Sequence, residues 1–367
     1  MSVPLLRPSS SPELEASMIE VLRSGWWGLG PKTKELEKRF AEFVGKKYAV
    51  AVNSGTAALD LCLKAYGIKG GELITTPMTF VADAIVGEWN GMDVTFADID
   101  ENTLCLDPNS VVITPETKAI ITVNSHGRLA DIKGLREKFS GLIIEDCAHA
   151  MFTPGVGQYS DIQIYSFQAV KSCPAGDGGM VTTDDENIYN RLKSLTWLNV
   201  EKTIDRVTSG KYSWDYDIKS ADGIKAYMND LTAVIVLAQM DRLEEMNANR
   251  RAIQSVYNEA FKSIPQIKIP TYSHTVQYYT MRAERRDELI QYLADNGYHT
   301  SVHFKPLNKF TYWAKGEKRP LEVTNRVWPE LISLPVYYGL AWTDVEKVID
   351  LVRGFYKKWL GKGNSSV

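Results

Sequence analysis

A chain of 367 residues is longer than one compact domain usually runs, so two domains are expected. The hydrophobic fraction of 44% and charged fraction of 24% are those of an ordinary globular protein, and a net charge of −3 excludes a broadly basic surface for nucleic acid or anionic membrane. The cysteines (Cys62, Cys105, Cys147 and Cys173) lack CxxC spacing, so no metal site or disulfide framework is expected, and with no signal-peptide pattern or membrane-length apolar run the chain reads as a soluble, cytoplasmic protein.

In chain order, Leu14, Met18, Val21 and Leu22 predict an amphipathic helix from Ser11 to Arg23, and a second helix follows Pro31 from Lys32 to Val44. Strand-like runs then occur at Tyr48–Val52, Glu72–Thr76, Val94–Ala97, Ala119–Val123 and Leu142–Glu145, with helices such as Thr56–Ala65 and Ile132–Phe139 between them. Apolar strands alternating with helices predict a mainly parallel sheet covered on both faces. Ile162–Phe167 and Gly178–Thr183 add two strands. Residues 196–222 are polar and rich in Trp and Tyr, which predicts a long functional loop or interface segment. One long helix is expected from Asn229 to Ser263. Beyond Pro265, strands at Gln277–Arg282 and His299–Phe304 and helices at Arg285–Asn296 and Asp344–Lys358 suggest a smaller α/β domain, with a disordered tail from Gly361 to Val367. The expected division is a large domain over residues 1–240 and a small one over 241–367.

Three segments carry chemistry. In VNSGTAALDLCL a strand ends at Asn53, and Ser54-Gly55-Thr56 opens a helix whose free N–H groups suit an anion. LIIEDCAHA delivers Asp146 to the carboxyl end of a strand, where ligands bind in parallel sheets. Such a carboxylate could pair with a protonated pyridine nitrogen, and His149 could bond the phenolic oxygen of the same ring. In IYSFQAVKSCPAGDGGMV, Lys171 is flanked by small and apolar residues, so its amine could shed a proton and attack an aldehyde as a Schiff-base lysine. The Ser166 hydroxyl, five residues earlier, would add a donor to a phosphate. Taken singly, each segment also fits a capped helix, a helix-capping Asp or a surface lysine.

SGWWGLGP, NSGTAAL, PMTFVADA, EDCAHA, SFQAVK, GDGGMV and ISLPVY, in this order, resemble the DegT/DnrJ/StrS family of sugar aminotransferases from about Val3 to Arg353. The resemblance implies the aspartate aminotransferase-like (type I) α/β fold, pyridoxal 5′-phosphate as cofactor, no metal, and a homodimer with shared active sites. It implies catalytic roles for Lys171, the Schiff-base lysine, and Asp146, the pyridinium partner. It places His149 beside the ring hydroxyl, Phe80 over the ring, and Gly55, Thr56 and Ser166 at the phosphate. GIKAYMNDLTA resembles a family element from which Lys225 reaches a neighbouring subunit's cofactor phosphate, and SVHFKPL one from which His303 lines the substrate cavity. Departures from the family pattern are NSHGR at Asn124–Arg128, Ala175-Gly176-Asp177 after Cys173-Pro174 in place of the usual T-G-E, and Ala226 and Tyr227 near the substrate; these leave the cofactor chemistry intact and the identity of the sugar open.

The implied reaction moves an amino group from glutamate to a nucleotide-linked keto-sugar. His149 and the stretch from Trp214 to Asp230 resemble relatives acting at C4 of 4-keto-6-deoxy sugars. The alternatives are amination at C3, a sugar dehydratase, which Lys171 argues against, and a non-catalytic regulator on the same fold. Trp26, Trp27, Trp197 and Trp214 could stack on a base or pack at an interface.

Overall fold

The structure is a computed structural model, and it describes residues 2–200, 216–314 and 319–363. Two N-terminal helices come first, α1 (Pro12–Ser24) and α2 (Pro31–Val44). Both carry Pro in the first turn and end at a left-handed glycine, Gly25 and Gly45. The sheet-building part follows as β1 (Tyr48–Val52), α3 (Gly55–Ala65), β2 (Glu72–Thr75), α4 (Ala82–Trp89), β3 (Asp93–Phe96), β4 (Thr117–Val123), α5 (Ile132–Lys138), β5 (Leu142–Asp146), β6 (Ile162–Ser166), β7 (Gly179–Thr183) and α6 (Glu186–Leu195). These strands form a seven-stranded sheet ordered β1-β7-β6-β5-β4-β2-β3, parallel except for β7, which runs against both its neighbours. Leu142–Ile144, and Ile162 and Ile164 on β6, are buried because these central strands are covered on both faces.

The chain then passes through α7 (Asp230–Asp241) and α8 (Leu243–Phe261) to β8 (Ile267–Lys268), β9 (Tyr279–Ala283), α9 (Arg286–Asp295), α10 (Glu322–Val327), β10 (Leu331–Leu334) and α11 (Trp342–Gly363). Strands β10-β9-β8 form a separate antiparallel sheet. Its core gathers Tyr257, Phe261, Tyr279, Met281, Leu293, Ile332, Val348 and Val352, distinct from the cores on the two faces of the large sheet.

Three expectations are corrected. The single helix from Asn229 to Ser263 is two helices, broken at Arg242, whose N–H turns back to Gln239 rather than continuing the ladder. α7 buries Val236 and Leu237 beneath the large sheet, α8 begins on the same core with Leu243 and Met246, and its later turns carry Tyr257 and Phe261 into the second core. His299–Phe304 is not a strand: Ser301 pairs with Ser333 in one isolated bridge, and beyond it the chain leaves the sheet edge. The tail is helical through Gly363, and residues 364–367 lie outside the described part. Of the expected loop at 196–222, residues 201–215 lie outside it too, including Trp214. The flanks of that segment pair through Val200 with Ile218 and Trp197 with Lys225.

A buried acid ties α2 to α7. The Asp230 carboxylate accepts N–H groups of Gly30, Lys32 and Thr33 at 2.9–3.0 Å and the Thr33 hydroxyl at 2.7 Å. It satisfies donors that the first turn of α2 cannot bond within the helix.

Among the described residues, no helix is long and apolar enough to cross a membrane. No group of three or more metal-ligating acids, His or Cys occurs among them either. All four cysteines are free and buried.

Candidate active site

The carboxyl ends of β5 and β6, the start of α3 and the turn after β6 open onto one cavity of about 440 Å³. Its walls include Gly55, Thr56, Phe80, Asp146, His149, Ser166, Lys171 and His303. Lys225, the remaining candidate, does not line it: its ammonium lies 5.4 Å from the Trp197 ring centre, and its carbonyl accepts from the Asn53 side chain.

Helix α3 is capped by Ser54, whose hydroxyl accepts the Ala57 N–H at 3.1 Å. The first-turn N–H groups of Gly55 and Thr56 thus face the cavity side of a helix N-terminus, where an anion is favoured. The backbones are close here. A Cβ on Gly55 would sit 3.1 Å from the Ser166 Cβ, and one on Gly179 would fall 2.7 Å from the Ser54 carbonyl, so glycine lets the β6–β7 segment close on α3.

Asp146 ends β5 and is 7% exposed. Its Oδ1 accepts the Ala148 N–H at 2.7 Å. Burial raises its proton affinity, while that hydrogen bond and the nearby Lys171 amine favour the anion. Lys171 follows a tight turn in which its N–H bonds the Gln168 carbonyl at 2.8 Å. Part of its side chain remains open to the cavity, yet the surrounding protein pushes the amine down to about 8. The charges of Asp146 and Asp83 act against that fall. An amine in this range is a nucleophile and a proton carrier near neutral pH.

Aromatic rings build the opposite wall. His149 stacks on Phe304 at 5.8 Å, and its Nδ1 accepts the His126 N–H at 3.5 Å. Burial holds His149 neutral, and that contact assigns its proton to Nε2. His303 stacks on Tyr278 at 3.7 Å, and its Nδ1 lies 2.9 Å from the Ser333 hydroxyl. Burial lowers it to about 3, so it too is neutral. Phe80 is 58% exposed, its ring 6.5 Å from that of Phe304.

Several neighbours escaped the sequence reading. Tyr278, Phe304 and Thr79 line the cavity. His126 sits beneath it in a left-handed conformation with a buried Nδ1. Asp83, in the first turn of α4, packs against Asp146. A signal for Asp83 existed: it is a lone acid in the first turn of an otherwise apolar stretch, FVADAIVG. None of Trp26, Trp27 and Trp197 lines the cavity. Trp26 and Trp27 donate to the Leu29 and Leu22 carbonyls, and Trp197 packs on Tyr227.

A lysine of lowered proton affinity, a buried carboxylate and a helix N-terminus stand around one cavity. The chain belongs to the DegT/DnrJ/EryC1/StrS aminotransferase family, whose model matches residues 8–353. It is 36% identical to the spore coat polysaccharide biosynthesis protein SpsC of Bacillus subtilis (strain 168), over 97% of each chain. Among solved structures it is similar to Spr1654 from Streptococcus pneumoniae in its PMP-form, with 28% identity, TM-score 0.90 and all of both chains covered. The PLP-form of Spr1654 superposes with TM-score 0.88 at 27% identity, covering 98% of this chain and 99% of that one. DesI, solved in the presence of its TDP-sugar product, is 28% identical with TM-score 0.85, over 95% of this chain and 91% of its own. The fold is the aspartate aminotransferase-like one, a large domain with a mainly parallel sheet and a smaller C-terminal α/β domain.

Proposed function

We propose that this enzyme moves an amino group from glutamate to a nucleotide-linked keto-sugar, at C4 of a 4-keto-6-deoxyhexose. Its class, a pyridoxal-phosphate-dependent sugar aminotransferase, follows from the family and its solved members. The observation that carries the reading is the shared cavity of Lys171 and Asp146, with each charge acting on the other. The donor set fits a phosphorylated pyridine aldehyde: a glycine-opened helix N-terminus for the phosphate, a carboxylate for the ring nitrogen, an amine for the aldehyde.

When bound, that cofactor supplies an aldehyde for amine chemistry and a ring that takes up carbanion charge. The amine of Lys171, at about 8, is the nucleophile and then carries a proton to and from the donor's alpha carbon. Asp146, as the anion, would keep the ring nitrogen protonated. Gly55, Thr56 and Ser166 would hold the phosphate, and Nε2–H of His149 would serve the ring's phenolic oxygen. Phe80 would supply an aromatic wall for the ring, and His303, neutral and stacked on Tyr278, would shape the sugar side.

The TDP-sugar product of DesI supports a nucleotide-linked substrate. In sequence, His149 and the stretch from Trp214 to Asp230 resemble C4-acting relatives, which supports C4 over C3. We further assign the enzyme to the cytoplasm, whose reducing conditions suit four buried free thiols. We take it as a homodimer in which Lys225 serves the other subunit's phosphate, and divide each subunit at residue 240.

The test is direct. Nucleotide-linked 4-keto and 3-keto sugars are incubated with glutamate, and products are read by mass spectrometry. Wild type is expected to aminate the 4-keto substrate. Lys171→Ala is expected to give no product while retaining the wild-type circular dichroism and unfolding transition. Turnover in that variant overturns the assignment of the nucleophile, and a product aminated at C3 overturns the position.

A further inference from the structure

Asp83 has no part in the reaction as described, yet it stands against the carboxylate that does. It is 1% exposed, in the first turn of α4. Its Oδ2 accepts the Thr79 hydroxyl, and its Oδ1 receives no donor group. Its carboxyl lies within hydrogen-bonding reach of the Asp146 carboxyl. Asp146 lines the cavity and Asp83 does not. Lys171 is the cation acting on both acids.

Two buried carboxylates in contact repel, and one amine cannot compensate both at small cost. A single proton placed between them turns the repulsion into a hydrogen bond. The surroundings decide which acid keeps it. Asp146 has the backbone N–H of Ala148 at 2.7 Å and the nearby ammonium, both of which stabilise an anion. Asp83 has one hydroxyl, deeper burial and the charge of Asp146 beside it, so its proton affinity lies well above the carboxylate range. The donor-less Oδ1 is an atom with room for a proton of its own.

We propose that Asp83 is a positioning residue: its carboxylic acid donates a hydrogen bond to Asp146, fixing Asp146 as the one anion that faces the cavity. Thr79 completes the chain by orienting Asp83. The arrangement gives Asp146 one fixed rotamer and prevents the proton from sitting on the acid that must stay charged. It rests on the reading of Asp146 as the ring-nitrogen partner.

The test compares wild type, Asp83→Asn and Asp83→Ala, as apoenzyme and after titration with pyridoxal phosphate. Infrared spectra of wild-type apoenzyme at neutral pH are expected to contain a protonated-carboxyl C=O band that shifts in D2O and is missing from Asp83→Asn. Asparagine retains a donor, so Asp83→Asn is expected to hold the cofactor dissociation constant within about threefold, whereas Asp83→Ala raises it about tenfold. A wild-type spectrum without the band overturns the proposal, as does Asp83→Ala binding cofactor like wild type. The infrared result is independent of turnover. If Lys171→Ala still makes product while the band is present, the reading of the site fails and the protonated acid stands.

Discussion

At the scale of single residues, this site works by denying groups their usual charge. Burial keeps His149 and His303 neutral and lowers the proton affinity of Lys171, so the cavity holds an amine that can lose its proton rather than a fixed cation. Asp146 is the exception, an acid in a buried place that the Ala148 N–H and the Lys171 ammonium favour as an anion. Charge and shape can be separated there by one substitution. Asparagine at 146 still accepts the Ala148 N–H but has no charge with which to keep a ring nitrogen protonated. We expect Asp146→Asn to lower kcat about a thousandfold while weakening cofactor binding only about tenfold. Steady-state rates and absorbance titration of the cofactor measure the two separately. Equal losses would make Asp146 a structural acid.

At the scale of elements, the legible parts were those where a hydrophobic run ends in chemistry. LIIED and IQIYS are buried strands whose last residues, Asp146 and Ser166, could only emerge at the carboxyl edge. The break at Arg242 was not legible, because Leu237, Met240, Leu243 and Met246 carry one apolar stripe straight through it. The stripe stays on the same core, and only beyond Met246 does the chain change allegiance to Tyr257 and Phe261. Asp83 was half legible: a lone acid in an apolar stretch stands out, but one in a helix's first turn can be satisfied locally by the helix dipole, so its partner across on β5 was not. The pairing of His303 with Tyr278 joins an extended segment to the start of a strand, a tertiary fact without local pattern. Asp230 shows how such long-range polar ties hold elements together, since it caps α2 from the first residue of α7. Asp230→Ala strands three backbone N–H groups in a buried place, which should cost about 3 kcal/mol. Denaturant unfolding measures it, and a loss under about 0.5 kcal/mol, the range of a neutral surface change, would show that water replaces the carboxylate.

At the scale of the whole molecule, Lys225 stands apart from the cavity of its own chain. The strap carrying Lys225 is pinned at the edge of the large sheet: Asn53 N–H bonds the Ala226 carbonyl at 2.7 Å, and Tyr227 bridges to Val52. Its ammonium lies over Trp197, away from the cavity that holds Lys171. If two copies associate so that each strap completes the other's phosphate cradle, Lys171 and Lys225 of one working site come from different chains. Two defective enzymes should then repair each other. In a hybrid of Lys171→Ala with Lys225→Ala, one site receives both lesions and the other neither. Random reassortment of equal amounts makes half the dimers hybrid, so the mixture should reach about a quarter of wild-type turnover at limiting cofactor. If Lys225 instead served its own cavity, every hybrid site would carry one lesion, and mixing would give no more than the average of the two parents. Rates before and after subunit exchange, at cofactor concentrations where Lys225→Ala alone is poorly loaded, separate the two arrangements.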